Sequence, residues 1–124
     1  KAAMFVDFED RLTIFDALIL CRFYRDLYPW EYLTEIIQAA TGLNLDIASL
    51  RSRAASISNL VRHYNLREGM TVEDDKLPPR LHHKLSDSGK VIGEHELKKM
   101  RKDYYRLRGW NEFGVPSDNW SDFD

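Results

Sequence analysis

A carboxylate and a thiol stand close together in an apolar stretch. Asp16 interrupts the run Ile14-Phe15-Asp16-Ala17-Leu18-Ile19-Leu20-Cys21, and Cys21 is the only cysteine of the chain. A carboxylate withdrawn from water without partners is costly, so Asp16 requires a cation or hydrogen-bond donors. Within this stretch only Arg22 and Arg25 can neutralise it. A chain that keeps such a residue beside a lone thiol can hold a ligand there. The residues alone leave a second reading open: Asp16 on the wet side of an amphipathic helix, and Cys21 as a small core hydrophobe.

The other candidates are weaker. His82 and His83 are adjacent on a loop, point in different directions, and have no acid or thiol at helical spacing, so they read as solvated loop residues. His63 reads as a packing or surface residue beside an apolar stripe. Lys98, Lys99, Arg101, Lys102 and Arg106 alternate with apolar positions, as a solvated helix face does. There is no glycine-rich phosphate loop, no nucleophile elbow and no acid–base carboxylate pair.

Composition narrows the class. The 124 residues are 44% hydrophobic and 12% aromatic, which fits one globular domain. A formal net charge of −2 gives no electrostatic footprint for nucleic acid or an anionic membrane, and it disfavours a helix-turn-helix nucleic-acid reader. No run approaches the roughly 18 apolar residues of a membrane span. One cysteine forms no internal disulfide, in keeping with a cytoplasmic location. No signal-peptide pattern opens the sequence, and a start at Lys1 with Met first at position 4 suggests a piece of a longer protein.

The elements that must position these residues read as helices. Leu12, Phe15, Leu18, Ile19 and Phe23 recur at three- and four-residue intervals and predict a first helix over 8–27. Pro29 stops it and opens a second through Trp30, Leu33, Ile36, Ile37 and Ala40 to a Gly42 stop. Asp46 is a good N-cap for a third helix, whose stripe is Ile47, Leu50, Ala54, Ile57, Val61 and Tyr64, with Arg51, Arg53 and Arg62 off the stripe. From Met70 to Gly93 the pattern dissolves into loop chemistry, with Leu77, Leu81, Leu85, Val91 and Ile92 as possible anchors. A last helix over about 94–108 carries Leu97, Met100, Tyr104 and Leu107 and ends at Gly109. The expectation is an all-α bundle of about four main helices with a long irregular loop. Residues 1–116 form its body and 117–124 a frayed acidic tail.

Two segments are unusual for a generic helical module. Asp74-Asp75-Lys76-Leu77-Pro78-Pro79-Arg80 packs two acids, two prolines and an arginine into seven residues, and Tyr104-Tyr105-Arg106-Leu107-Arg108-Gly109-Trp110 joins paired tyrosines to an Arg-Gly-Trp turn. Arg67, Arg80 and Arg108 are the expected partners of Asp74 and Asp75, tying the loop to the helices.

Taken in order, DALILCRF at 16–23, HYNLREGMTVEDDKLPPR at 63–80, DYYRLRGW at 103–110 and NEFGVP at 111–116 resemble the C-terminal part of the tungsten-containing aldehyde ferredoxin oxidoreductase family. The resemblance covers about residues 10–116. It implies a C-terminal helical domain of a larger oxidoreductase. Such an enzyme oxidises an aldehyde, formaldehyde included, to a carboxylic acid and passes the electrons through a 4Fe-4S cluster to ferredoxin.

The family pattern Asp-x-x-Gly-Leu-Cys falls on Asp16, Leu20 and Cys21. Carried over, it makes Asp16, Leu20 and Arg22 pterin-binding and Cys21 a cluster ligand, with no catalytic residue in this chain. Ile19 stands where the family has glycine. The implied cofactors are a tungsten bis-pterin and a 4Fe-4S cluster in the full-length enzyme and none in the isolated chain, since one cysteine cannot supply four thiolates. The implied partners are the rest of the same polypeptide, ferredoxin and the aldehyde, with self-association of the isolated piece through its apolar patch. The alternative is a stand-alone helical interaction module with a buried structural Cys21.

Overall fold

A computed structural model describes residues 1–84, 89 and 91–117. Leu85, expected as an anchor, and the acidic tail beyond Ser117 lie outside the described residues. The chain is built from α1 (Ala2–Ala17), α2 (Trp30–Thr41), α3 (Ile47–Arg67) and α4 (Glu94–Arg108), with short 3-10 turns at Arg22–Leu27, Val72–Asp74 and Pro79–His82. Among the described residues no strand forms, and Trp110 and Pro116 make only an isolated antiparallel bridge. The all-α expectation holds. No described helix is long and apolar enough to cross a membrane.

The helix ends follow the capping residues where these are present. Pro29 precedes α2, and Gly42 closes it in the left-handed region at φ 75° with its N–H on the Gln38 carbonyl. Asp46 caps α3, its Oδ1 accepting from the Ser49 N–H at 2.7 Å. Gly109 ends α4 at φ 71°. The first helix departs from expectation. It stops at Ala17, and Ile19 and Phe23, expected on its apolar stripe, are 93% and 90% exposed.

The chain divides into two compact units. The unit of residues 4–61 has a core of Ile14, Phe15, Trp30, Leu33, Ile37, Leu50 and Ala54, against which Leu18, Leu20, Tyr28 and Leu45 pack. Phe15 meets Tyr28 edge-on, with ring centroids 5.8 Å apart. The Trp30 indole N–H donates to Asp7 at 3.1 Å, and Asp7 also pairs with Arg51, whose guanidinium lies 4.8 Å from the Trp30 ring.

The other unit, residues 1–3 with 62–117 of the described chain, is organised around a cation. Arg62 is 5% exposed. Its NH1 and NH2 groups donate to the two Asp75 carboxylate oxygens at 2.9 and 2.6 Å, and its Nε donates to the Gly114 carbonyl at 2.8 Å. The Trp110 ring centroid lies 5.1 Å from the guanidinium. Tyr105 donates its hydroxyl to Asp75, while Arg101 reaches the Val72 and Asp75 carbonyls at 3.0 and 3.2 Å.

The irregular loop is thus tied down by charge, as expected, but through different arginines. Arg62, placed off the stripe, is the buried residue, whereas Val61 and Tyr64 on the stripe are half exposed. Arg67 pairs with Glu68 instead, Arg108 donates to the Tyr104 hydroxyl, and Asp74 closes a capping box with Thr71. Val91 and Ile92, expected as anchors, are exposed. Gly114 (φ 70°) is where the tail passes over this network. A Cβ there would collide with the Arg62 guanidinium and stand 2.8 Å from the Tyr105 ring.

Two outcomes follow from this network. Arg62→Met leaves the Asp75 carboxylate half-buried without its cation and is expected to destabilise the chain by about 3 kcal/mol in urea unfolding. Burial, reinforced by the Asp75 hydrogen bond, pushes the Tyr105 hydroxyl up to about 12. The folded state therefore retains that proton where the unfolded state has lost it. Its contribution is fully present below the ordinary tyrosine value near 10 and lost as pH rises from there through about 12. Unfolding followed over that range should show a loss that Tyr105→Phe abolishes.

Candidate functional site

Asp16 and Cys21 flank the end of α1, and the backbone between them explains their placement. The Leu20 N–H returns to the Phe15 carbonyl at 2.8 Å and the Ile19 N–H to the Asp16 carbonyl at 3.1 Å. These are the two bonds of a Schellman closure, with Ile19 at the left-handed position (φ 57°). The motif places an apolar contact between the residue after the left-handed one and the last helical turn, and Leu20 packs on the core that contains Phe15. Beyond it the chain extends at Cys21 (φ −71°, ψ 119°) and winds into the 3-10 turn that begins at Arg22.

The closure reverses the chain, so Arg22 comes back over the last turn of α1. Its Nε donates to Asp16 Oδ1 at 2.8 Å, and NH2 donates to the other carboxylate oxygen. Arg25 donates to the Arg22 carbonyl at 3.3 Å. Asp16 thus pairs with Arg22, one of the two cations within reach in sequence, but it is not withdrawn from water: it lies on the wet side of the helix end, as the second reading of the residue had it. The pair is at the surface, with 54% of the Asp16 side chain and 57% of the Arg22 side chain exposed. Hydrogen bonding to Arg22 holds the Asp16 carboxyl below the ordinary aspartate value, against a small opposing effect of burial. A depressed carboxyl favours the fold above its unfolded value and ceases to do so as pH falls. For a pair this exposed the contribution is small.

Cys21 is exposed. This removes the premise of the alternative reading, which required a buried structural thiol. It also sets an exposed thiol, an ionised carboxylate and a guanidinium on one turn. Among the described residues, no group of three or more His, Cys, Asp or Glu gathers in a way that could hold a metal ion. A metal bound at Cys21 would therefore require ligands from other segments. The remaining sequence candidates do not join it. His82 donates from Nδ1 to the Ile92 carbonyl at 2.8 Å. A cleft of about 660 Å³ on α4, lined by Lys98, Arg101, Lys102, Arg106 and Trp110 among others, contains none of Asp16, Leu20, Cys21 or Arg22.

The left-handed turn was not foreseen from the sequence, although its signal was present. Ile19 occupies the position where the resembling pattern has glycine, and glycine is the residue that reaches positive φ without steric cost. The β-branched side chain gains nothing in return, being 93% exposed.

Comparison with known proteins places the same span in one family. The family model for aldehyde ferredoxin oxidoreductase, domains 2 and 3, matches residues 1–121. Tungsten-containing aldehyde ferredoxin oxidoreductases of Pyrococcus horikoshii and Pyrococcus abyssi are each 31% identical over 116 residues. That of Thermococcus kodakarensis is 30% identical over 116 residues. Each match covers 92% of this chain and 19% of the relative, so the chain spans about a fifth of their length. No solved structure gives a significant match.

Ile19→Gly should relieve the left-handed strain with no loss of packing. The expected gain is roughly 0.5–1 kcal/mol, the cost of a left-handed residue less the extra chain entropy of glycine, read as a rise in the urea midpoint at unchanged slope.

Proposed function

The chain belongs to the aldehyde ferredoxin oxidoreductase family, and from that premise we propose that the turn Asp16–Arg22 is a cofactor-binding segment of a tungsten-dependent aldehyde oxidoreductase. In this reading Cys21 is one ligand of a 4Fe-4S cluster, and Asp16, Leu20 and Arg22 face the pterin. The carrying observation is the Schellman closure, which sets Asp16 and Cys21 on the same exposed turn instead of along a continuing helix.

The residues present suit these groups. An ionised carboxylate accepts the N–H donors of a pterin ring and keeps acceptor positions beyond those used by Arg22. The Leu20 N–H is taken by the Phe15 carbonyl, so a backbone contact to the pterin falls to its carbonyl oxygen. Cys21 offers one exposed thiol, and the cluster requires four protein ligands, three of which other segments of the polypeptide would contribute. When bound, the tungsten centre supplies the two-electron oxidation of an aldehyde to a carboxylic acid, and the cluster supplies one-electron transfer to ferredoxin.

This chain's own residues bind and orient. Asp16 holds the pterin edge, Leu20 sets the height of the turn above the core, and Cys21 fixes the cluster a short backbone step from the pterin contact. That arrangement ties the separation of the two redox centres to a rigid turn. The isolated chain would be catalytically inert and free of cofactor. Its exposed Ile19, Phe23 and Leu27 form an apolar surface that the rest of the polypeptide would cover and through which an isolated copy would self-associate. A cytoplasmic location, with ferredoxin as electron acceptor, completes the reading.

Two substitutions in the cofactor-loaded polypeptide test it. Cys21→Ser should lower iron content or degrade the cluster while leaving helical circular dichroism unchanged, and unaltered iron would remove Cys21 from the ligand set. Asp16→Ala should weaken pterin retention more than folding, and the reverse would make Asp16 a structural residue.

A further inference from the structure

We propose that Arg22 is a positioning residue that acts through Asp16, holding its carboxylate in one orientation for a pterin's N–H donors. The inference rests on the reading above and goes beyond it, because the resemblance places position 22 beside the pterin and assigns it nothing toward Asp16.

The geometry separates this role from a structural one. The turn is already closed by two backbone hydrogen bonds, from Leu20 to Phe15 and from Ile19 to Asp16, and by the packing of Leu20 on the core. An ion pair with both side chains more than half exposed adds little to stability. What Arg22 does add is a fork. Nε takes Oδ1 and NH2 takes Oδ2, so one acceptor position on each oxygen is used and the carboxylate plane is fixed by two parallel bonds. An ionised carboxylate has about four acceptor positions, which leaves about two for a ligand. Arg25, bonded to the Arg22 carbonyl, steadies the backbone from which the fork projects. Without the fork an exposed aspartate samples several rotamers, and ordering it then falls on the binding step. Lysine, a point charge with no fixed fork, would restore the charge without the plane.

A double-mutant cycle on the cofactor-loaded polypeptide tests the proposal, with pterin and tungsten retained after dialysis as the readout. Arg22→Gln is expected to reduce retention roughly three- to tenfold, Arg22→Lys to recover only part of the loss, and Arg22→Gln to cause no further loss in an Asp16→Asn background. An equal loss in that background would mean that Arg22 holds the cofactor directly, and would overturn the proposal. Side-chain couplings of Asp16, measured by NMR on the 124-residue chain, give a second readout independent of cofactor. A single rotamer that becomes averaged in Arg22→Gln supports positioning, and a single rotamer that survives the substitution overturns it whatever the cofactor does. Averaged rotamers combined with retention that ignores both residues would instead defeat the pterin reading itself, and the positioning role with it.

Discussion

The hydrogen bond from the Leu20 amide to the Phe15 carbonyl is the contact on which the candidate site depends. Phe15 is fully buried, so this bond anchors a surface turn to the centre of its own unit. Were α1 to continue, Asp16 and Cys21 would be five residues apart along a helix and so on different faces. Arg22 would then lie out of reach of the carboxylate. The closure accepts a β-branched residue at positive φ to achieve the reversal, which is a cost found more often at functional turns than elsewhere.

The chain uses two arginine–carboxylate forks in opposite ways. Arg62 and Asp75 are largely withdrawn from water, and their remaining hydrogen-bonding capacity is filled by the Gly114 carbonyl and the Tyr105 hydroxyl. A pair in that setting organises its surroundings, because removing either partner strands the other in a poorly solvated place. It joins the C-terminal part of α3, the irregular loop, α4 and the turn at Gly114 within one unit. Arg22 and Asp16 have the same fork geometry at the surface, where it contributes little to the fold and leaves acceptor positions accessible. One fork builds structure and the other presents a group.

Membership of the aldehyde ferredoxin oxidoreductase family gives the exposed turn a chemical context. A lone exposed thiol cannot assemble a cluster, and a lone exposed aspartate cannot hold a cofactor. Ile19, Phe23 and Leu27, close to them in sequence, are exposed to a degree unusual for apolar side chains. These features agree with a segment that contributes to a larger site.

The sequence by itself determined what local chemistry governs. Pro29, Gly42, Asp46 and Gly109 set the helix ends at which they stand, because capping and steric preference act within one turn. The pairing of Asp16 with a nearby arginine was legible for the same reason, although its place at the surface was not, and so was the ordered set of motifs that carries the family resemblance. Tertiary structure decided the rest. No glycine or proline marks the end of α1, and the apolar pattern runs on through Ile19 and Phe23. The helix stops at Ala17 in a Schellman closure with Leu20 partly buried against the core. Likewise, Arg62 meets partners 13 and 52 residues away, a choice among several arginines that no periodicity encodes. Hydrogen-bond spacing along a helix is a local property, whereas which buried acid meets which cation is fixed by how the elements pack.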